Sequence, residues 1–291
     1  MVDPFETIRH QIHSPSDAVR WACILEATAP KAGNVFPGRP FDDLQYIDFV
    51  KAAEVTATAF NDASLPITRR MLMAATATRQ ATATNVNLGI ILLLGPLVAA
   101  DESLKASEKE PNDWLAALET VLDGFDPTDG QNVYDAIAMA SAGGLGNVDS
   151  MDVHQPHDQV DLRAAMISAQ QRDRIALQYA SGFRDFFEHV VPVVRNEIMG
   201  QGDLLTGINR AHVQLLAESV DTLIARKCGV DVANDVQSRS KLTCLDSVPE
   251  MAELDAYLRS PDHRLNPGTT ADLIAAALYV LLRTPNHSFR D

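Results

Sequence analysis

The sequence predicts an all-α protein that forms a single compact multi-helix domain over residues 1–291. Apolar residues recur at the helical period along most of the chain, and no alternating strand pattern runs for more than a few residues. No repeat or Pro/Ser-rich linker divides the chain. Hydrophobic residues make up 46% of the 291 residues, which is enough for a large buried core.

The first third of the chain contains helices separated by loops rich in glycine and proline. Ser14 and Pro15 predict an N-cap followed by the first helical position. The apolar helix at 88–100 is too short for a membrane span, which needs about 20 residues, so we expect it to be buried. Four helices are predicted here: one begins after Ser14, one runs over about 44–60, one begins near Pro66, and one runs over 88–100. The loops between them include 28–43 and 81–87.

The remaining helices surround one long irregular segment at about 143–160. Loops of that length are usually functional or mobile, and this one is the only candidate subdivision of the domain. The predicted elements are amphipathic stripes at 114–122 and 133–140, long helices at 161–181, 183–199 and 203–227, shorter helices at 230–239 and 246–258, and a last helix from Thr269 or Thr270 to Arg283.

The net charge of −15 restricts the partners of the protein. So acidic a surface repels nucleic acid and anionic membranes, and no Lys/Arg run offsets it. The first eleven residues carry Asp3 and Glu6 and lack the apolar core of a secretory signal. Three scattered cysteines suit free thiols in a reducing compartment. We therefore expect a cytoplasmic protein that binds neither nucleic acid nor membrane. The sequence is also compatible with a homo-oligomer.

The proline-rich loop at 28–43 is the first candidate site. Lys31 and Arg39 supply positive charge for a phosphate, and Gly33 lets backbone amides approach an anion. Asp42 and Asp43 lie at the start of the next helix. A turn followed by a helix cap would explain the same residues without any function.

Three further loops place polar residues at helix ends. Asn85, Asn87 and Gly89 lead into the apolar helix, where they could cap it or hold a ligand. The helix that ends with Arg226 has an ordinary cationic C-terminus, but Asp221 one turn earlier is harder to explain by stability. The last candidate loop opens the final helix with Gly268, Thr269 and Asp272, where capping and a cleft-facing carboxylate are both open.

Taken in this order, the four loops resemble the triphosphoribosyl-dephospho-CoA synthase family, over roughly residues 21–282. No single motif is decisive, but their order and spacing are fairly specific. The matching residues are Glu26 before Pro30-Lys31-Ala32-Gly33, the acidic pair Asp42-Asp43, the turn Asn85-Val86-Asn87-Leu88-Gly89, the helix end with Asp221, Leu223, Arg226 and Gly229, and the helix start Pro267-Gly268-Thr269-Thr270-Ala271-Asp272.

The resemblance implies an all-helical enzyme that joins ATP to 3′-dephospho-CoA and releases adenine, with Mg²⁺ on the triphosphate. It implies catalytic carboxylates, for which the candidates are Glu26, Asp42, Asp43, Asp221 and Asp272, with Asp42 and Asp43 also as metal ligands. It implies a substrate- and phosphate-binding set, for which the candidates are Lys31, Gly33, Asn34, Arg39, Asn85, Asn87, Gly89, Arg226, Gly268 and Thr269.

Two departures from the family pattern leave other functions open. Asn87 and Leu88 stand where the family has His and Lys, and the family's central R-G-E-A motif has no match. The form of the first loop is similar to a divergent branch found in organisms with methanopterin-type one-carbon cofactors. A ribosyl or phosphoribosyl transferase of such a cofactor pathway is therefore an alternative. A non-catalytic nucleotide-binding helical protein is another.

Overall fold

The computed structural model describes residues 3–84, 86–105, 109–140, 160–260 and 262–284. Within these ranges the chain forms fifteen α-helices and one π-helical turn and contains no strand, which confirms the predicted all-α class. The helices are α1 (Glu6–Arg9), α2 (Pro15–Thr28), α3 (Tyr46–Phe60), α4 (Ile67–Thr82), α5 (Leu88–Ser103), α6 (Pro111–Asp123), α7 (Pro127–Met139), α8 (Leu162–Ala169), α9 (Arg174–Ser181), α10 (Val191–Gln201), α11 (Leu204–Glu218), α12 (Thr222–Cys228), α13 (Val230–Leu242), α14 (Val248–Leu258) and α15 (Gly268–Arg283).

Local sequence signals explain where several helices begin. Ser14 caps α2 as predicted, and its side chain accepts a hydrogen bond of 3.1 Å from the Asp17 amide. Helix α3 begins at Tyr46, two residues after the predicted start, because Gln45 and Asp48 form a capping box there. The predicted loop at 143–160 lies outside the described residues except for Val160.

Two long predicted helices are each divided in two. The prediction of one helix over 161–181 was wrong because Asp173 accepts hydrogen bonds from the Ile175 and Ala176 amides and starts α9 anew. Likewise, Asp221 caps α12 and separates it from α11. Before α10, a π-helical turn at Phe186–Val190 precedes Pro192, which has no amide hydrogen to continue an α-helical ladder.

The main hydrophobic core is centred on α5 and α15. Both helices are almost wholly apolar and pack against each other, and α15 also packs against α2 and α10. The predicted burial of the helix at 88–100 is confirmed, since Ile91, Leu93 and Leu94 are fully buried. In the described part of the chain, no helix combines the length and apolarity that crossing a membrane requires.

A second, smaller hydrophobic cluster forms between α11, α12, α13 and α14. Ala32 from the proline-rich loop joins it, and Leu258 at the end of α14 lies fully buried within it. Helix α11 contributes residues to both clusters and so links them. This packing anchors the loop after α2 between the two clusters and places it beside the start of α15.

Candidate functional site

A cavity of about 480 Å³ lies where the starts of α5, α9 and α15 meet the ends of α2, α4 and α12. This volume is within the range of about 300–1,000 Å³ that is usual for small-molecule sites. Side chains of α7 and α8 give the cavity an apolar wall. The predicted site residues that line it are Glu26, Asn34, Asn87, Gly89, Arg226, Gly268, Thr269 and Asp272.

Asp272 in the first turn of α15 lies directly against Gly89 in the first turn of α5. A Cβ at position 89 would overlap the Asp272 carboxyl and the end of the Ile175 side chain, so a larger residue requires both side chains to shift. Asp272 is partly accessible and lines the cavity. Burial raises its pKa well above the ordinary value, and nearby Glu26, Asp221 and Asp173 raise it further. The cavity thus contains a carboxyl that keeps its proton at higher pH than an ordinary aspartate.

Glu26 reaches the same cavity from the last turn of α2 and forms a buried ion pair with Lys31. The Lys31 Nζ lies 2.9 Å from the Glu26 Oε1 and also donates to the Glu26 backbone carbonyl. Lys31 has no exposed surface and does not line the cavity. The lysine predicted to bind phosphate therefore holds a carboxylate of the cavity in place.

Gly33 and Arg39 of the proline-rich loop both bind Asp255 on α14. The Gly33 amide donates to Asp255 Oδ1 at 2.9 Å, and Arg39 Nη2 lies 2.7 Å from Asp255 Oδ2. Burial would raise the pKa of Asp255, but the hydrogen bonds from Gly33, Arg39 and Arg259 outweigh it and lower the pKa. Gly33 has a φ of +77°, and a Cβ there would lie 2.6 Å from the Leu258 Cβ. These contacts attach the loop to α14, outside the cavity.

The acidic pair Asp42 and Asp43 is exposed and does not line the cavity. The Asp43 side chain is 80% exposed, and its Oδ1 lies 3.4 Å from the His263 Nε2. No group of three His, Cys, Asp or Glu side chains with metal-binding geometry occurs among the residues that the structure describes. The structure thus separates this pair from the carboxylates of Glu26 and Asp272.

Asp221 is buried and acts as the junction between α12 and α15. Its carboxylate accepts hydrogen bonds from the amides of Leu223 and Ile224, at 2.9 and 3.1 Å. It also accepts two bonds of 2.8 Å from the amide and hydroxyl of Thr270. Burial raises the pKa of Asp221, and these hydrogen bonds partly offset that effect. Asp221 does not line the cavity, but it fixes the start of α15 and so the position of Asp272.

Two carboxamides lie buried in the cavity wall. The Asn87 Nδ2 donates to the Thr56 hydroxyl at 2.8 Å, and the Asn34 Nδ2 donates to the Asn266 Oδ1 at 2.6 Å. The third predicted carboxamide, Asn85, lies outside the described residues. The hydrogen bonds of Asn34 and Asn87 fix both side chains at the cavity.

Four cationic side chains line the cavity in the part of the chain that the structure describes: Arg79, Arg172, Arg226 and Lys227. Arg226 forms an ion pair with Asp173, the N-cap of α9. The sequence pointed to Arg226 but not to the other three or to Asp173. Arg79 and Lys227 each lie near a helix C-terminus, where a cation is common for stability alone, and Arg172 lies at a helix break that periodicity did not reveal.

The contact between Gly89 and Asp272 predicts how Gly89→Ala, which adds one methyl group, changes the stability of the fold. Alanine usually stabilises a helix interior over glycine by about 1 kcal/mol, so Gly89→Ala would be stabilising if the space were open. We expect it instead to destabilise the fold by about 1–3 kcal/mol, because the side chains of Asp272 and Ile175 must leave their positions at the cavity. Urea unfolding measures the change.

Gly200→Ala in α10 is the matched control, because no other atom lies within 4 Å of the Cβ that it adds. We expect this control to be neutral or slightly stabilising. Equal effects of the two substitutions would contradict the close approach of α5 and α15.

Comparisons with known proteins give the family and the fold of this chain. The family model described as ATP:dephospho-CoA triphosphoribosyl transferase matches residues 12–289. A solved chain from Archaeoglobus fulgidus, provisionally described as a triphosphoribosyl-dephospho-CoA synthase, shares the fold. It has 21% sequence identity and a TM-score of 0.62, over 79% of this chain and 96% of that chain. No curated protein matches at a significant level. The match over nearly the whole length shows that this chain belongs to the ATP:dephospho-CoA triphosphoribosyl transferase family.

Proposed function

We propose that the chain transfers the triphosphoribosyl group of ATP to the 2′-hydroxyl of 3′-dephospho-CoA in the cavity between α5, α9 and α15. The C1′–N9 bond of ATP breaks and a bond from C1′ to the acceptor oxygen forms. The acceptor hydroxyl loses a proton, and the departing adenine takes one up. The observation that carries this proposal is the Asp272 carboxyl, held beside Gly89 in a cavity with four cationic side chains.

Asp272 is the residue that we assign to protonation of adenine. A leaving base departs more easily when a carboxylic acid donates a proton to it, and that acid must still be protonated near neutral pH. Burial raises the pKa of Asp272 well above its ordinary value, which favours the protonated form that this role needs. Glu26, held by Lys31, is the carboxylate that we assign to accepting the hydroxyl proton. One carboxyl group therefore accepts a proton from the acceptor's ribose, while the other donates a proton to the adenine that leaves the ribose of ATP.

The triphosphate stays intact in this reaction and has to be bound throughout. We assign it to Arg172, Arg226 and Lys227, which lie around the start of α9 and the end of α12. Because Arg226 is paired with Asp173, its guanidinium is already held in position at the cavity. The backbone at Gly268 and Thr269, where α15 begins, adds the positive end of a helix dipole.

A magnesium ion fits the chemistry of this cavity. The carboxylates of Glu26 and Asp173 line it, and Mg²⁺ is usually held by one or two carboxylates together with the phosphates of the substrate. We assign Asp173 as the side chain that would hold the ion, in place of the exposed Asp42 and Asp43, so that Glu26 stays available as the base. When bound, the ion would supply positive charge to the triphosphate.

Leu88 favours a second candidate function. An apolar side chain lines the cavity where the family motif has a lysine, so one expected contact to an anionic acceptor is absent. This difference favours a ribosyl transfer to a less anionic acceptor. Such an acceptor would belong to another cofactor pathway, for example a methanopterin-type pathway.

Removing Arg226 tests the triphosphate assignment. Arg226→Met should raise the KM for ATP about 10–100-fold, because hydrogen bonds to charged groups contribute about 1.5–3 kcal/mol. Steady-state kinetics with varied ATP measures this change. Arg264→Met is the control, since Arg264 pairs with Asp262 on the surface away from the cavity. An unchanged KM for ATP in Arg226→Met would refute the assignment.

The reaction itself is tested by incubating the purified chain with ATP, Mg²⁺ and 3′-dephospho-CoA and measuring free adenine by chromatography. Adenine that forms only in the presence of dephospho-CoA supports the proposed reaction. Binding of ATP without any adenine release would refute dephospho-CoA as the acceptor and favour the second candidate.

A further inference from the structure

A second depression, of about 840 Å³, lies on the surface between α4 and α7. We call it the α4–α7 groove. Its floor includes Met73 and Met139, which are 39% and 43% exposed, and its walls include Arg69 and Thr76. Met73, Thr76 and Gln80 lie on one face of α4, spaced three or four residues apart. The groove therefore offers both apolar and hydrogen-bonding contacts along its length.

Arg79 connects this groove to the cavity. Its side chain lines both, since it lies near the end of α4 where the cavity opens beside Thr84 and Leu88. Among the residues that the structure describes, Arg79 has no hydrogen-bonded or ion-paired partner, in contrast to the paired Arg226. A half-buried guanidinium that lines both depressions is suited to an anionic group that extends from one toward the other.

Resting on the proposed function, we propose that the α4–α7 groove binds the pantetheine arm of the acceptor, with Arg79 on the acceptor's diphosphate. The acceptor is a nucleotide whose reacting ribose must reach Glu26, the base that we assign to its hydroxyl. Its diphosphate and its long arm then extend away from that ribose. The cavity of about 480 Å³ lies near the lower end of the range that encloses one drug-sized ligand. ATP and the whole acceptor together exceed that size, so the arm has to leave the cavity.

The chemistry of the arm matches the chemistry of the groove. Pantetheine alternates amide groups with methylene and methyl groups and is uncharged apart from its thiol. The flexible thioethers of Met73 and Met139 can pack on the apolar parts, while Thr76 and Gln80 can hydrogen-bond to the amides. The diphosphate at the base of the arm carries the negative charge that complements Arg79. A protein helix or a second copy of the chain would also cover the methionines, but a protein carboxylate brings one negative charge to Arg79, whereas the diphosphate brings two.

The test introduces a charge into the groove and compares the two substrates. Met73→Glu combined with Met139→Glu should raise the KM for dephospho-CoA at least tenfold, because carboxylates would be desolvated against an uncharged arm. The KM for ATP should stay within about twofold, which also shows that the variant is folded. Arg79→Gln should raise the KM for dephospho-CoA in the same selective way. Leu242→Glu, at a highly exposed apolar residue outside the groove, is the matched control.

The outcomes separate this inference from the proposed function. If the unaltered chain releases adenine with dephospho-CoA and the groove variants keep its KM, the groove assignment is wrong and the proposed function stands. If the unaltered chain neither binds nor uses dephospho-CoA, both are overturned. A change of oligomeric state in the Met73→Glu, Met139→Glu variant, with the KM for dephospho-CoA unchanged, would identify the groove as a contact between copies and overturn the assignment.

Discussion

Replacing Asp272 by asparagine should lower the rate of adenine release about 10²–10⁴-fold, the usual contribution of a positioned general acid. Asparagine keeps the shape of the side chain, so the contact with Gly89 is retained. It cannot deliver a proton to the leaving base. The loss should therefore appear in kcat, with the KM for ATP nearly unchanged. Kinetics with saturating dephospho-CoA measure it.

The same substitution should make the protein more stable at neutral pH. The pKa of Asp272 is raised in the folded state above its value in the unfolded chain, so the folded state holds the proton more tightly. The stability associated with the protonated carboxyl is present at low pH and is lost as the pH rises through the raised pKa. The asparagine side chain does not ionise, so the Asp272→Asn variant escapes this loss.

Thermal unfolding without nucleotide and with EDTA, between about pH 4 and pH 8, measures this difference. The gain over the unaltered protein should grow with pH. Asp231→Asn on the exposed surface of α13 is the control and should show no such trend. An Asp272→Asn variant that retains full activity would exclude Asp272 as the acid. A variant that loses stability at neutral pH would show that the carboxylate is stabilised in the folded state.

The sequence predicted those parts of the structure that local chemistry determines. Ser14 and Pro15 fix the start of α2 through bonds to neighbouring residues, and the apolar run at 88–100 has no alternative to burial. The loop residues that line the cavity, such as Gly89 and Asp272, were found because their motifs combine glycine or acid with a helix start. Their mutual contact joins two helices distant in sequence, which no local pattern reveals.

Other roles in the site depend on contacts that only the fold supplies. Gly33 and Arg39 have the composition of a phosphate loop, yet their partner is Asp255, more than two hundred residues later. The exposed pair Asp42 and Asp43 also follows the family motif, although it lies outside the cavity. In the sequence, Arg79 is an ordinary cation near a helix C-terminus. Only the fold shows that it lines both the cavity and the α4–α7 groove.

Lys31→Met should cause the largest loss of stability, about 3–5 kcal/mol, because it leaves the Glu26 carboxylate buried without its partner. The unpaired charge would also lie near Asp272, where negative charge is already concentrated. Urea unfolding measures the loss. Lys51→Met, which breaks an exposed pair with Asp48 on α3, is the matched control and should cost less than about 1 kcal/mol.

The double variant Lys31→Met, Glu26→Gln separates the two explanations for that loss. If the cost comes from the unpaired charge, removing the Glu26 carboxylate should restore a large part of the stability, although adenine release stays low because the proposed base is gone. If the cost comes from lost packing of the lysine stem, the double variant should be no more stable than Lys31→Met alone. Recovery of stability without recovery of activity would therefore support Lys31 as the residue that holds a catalytic carboxylate in place.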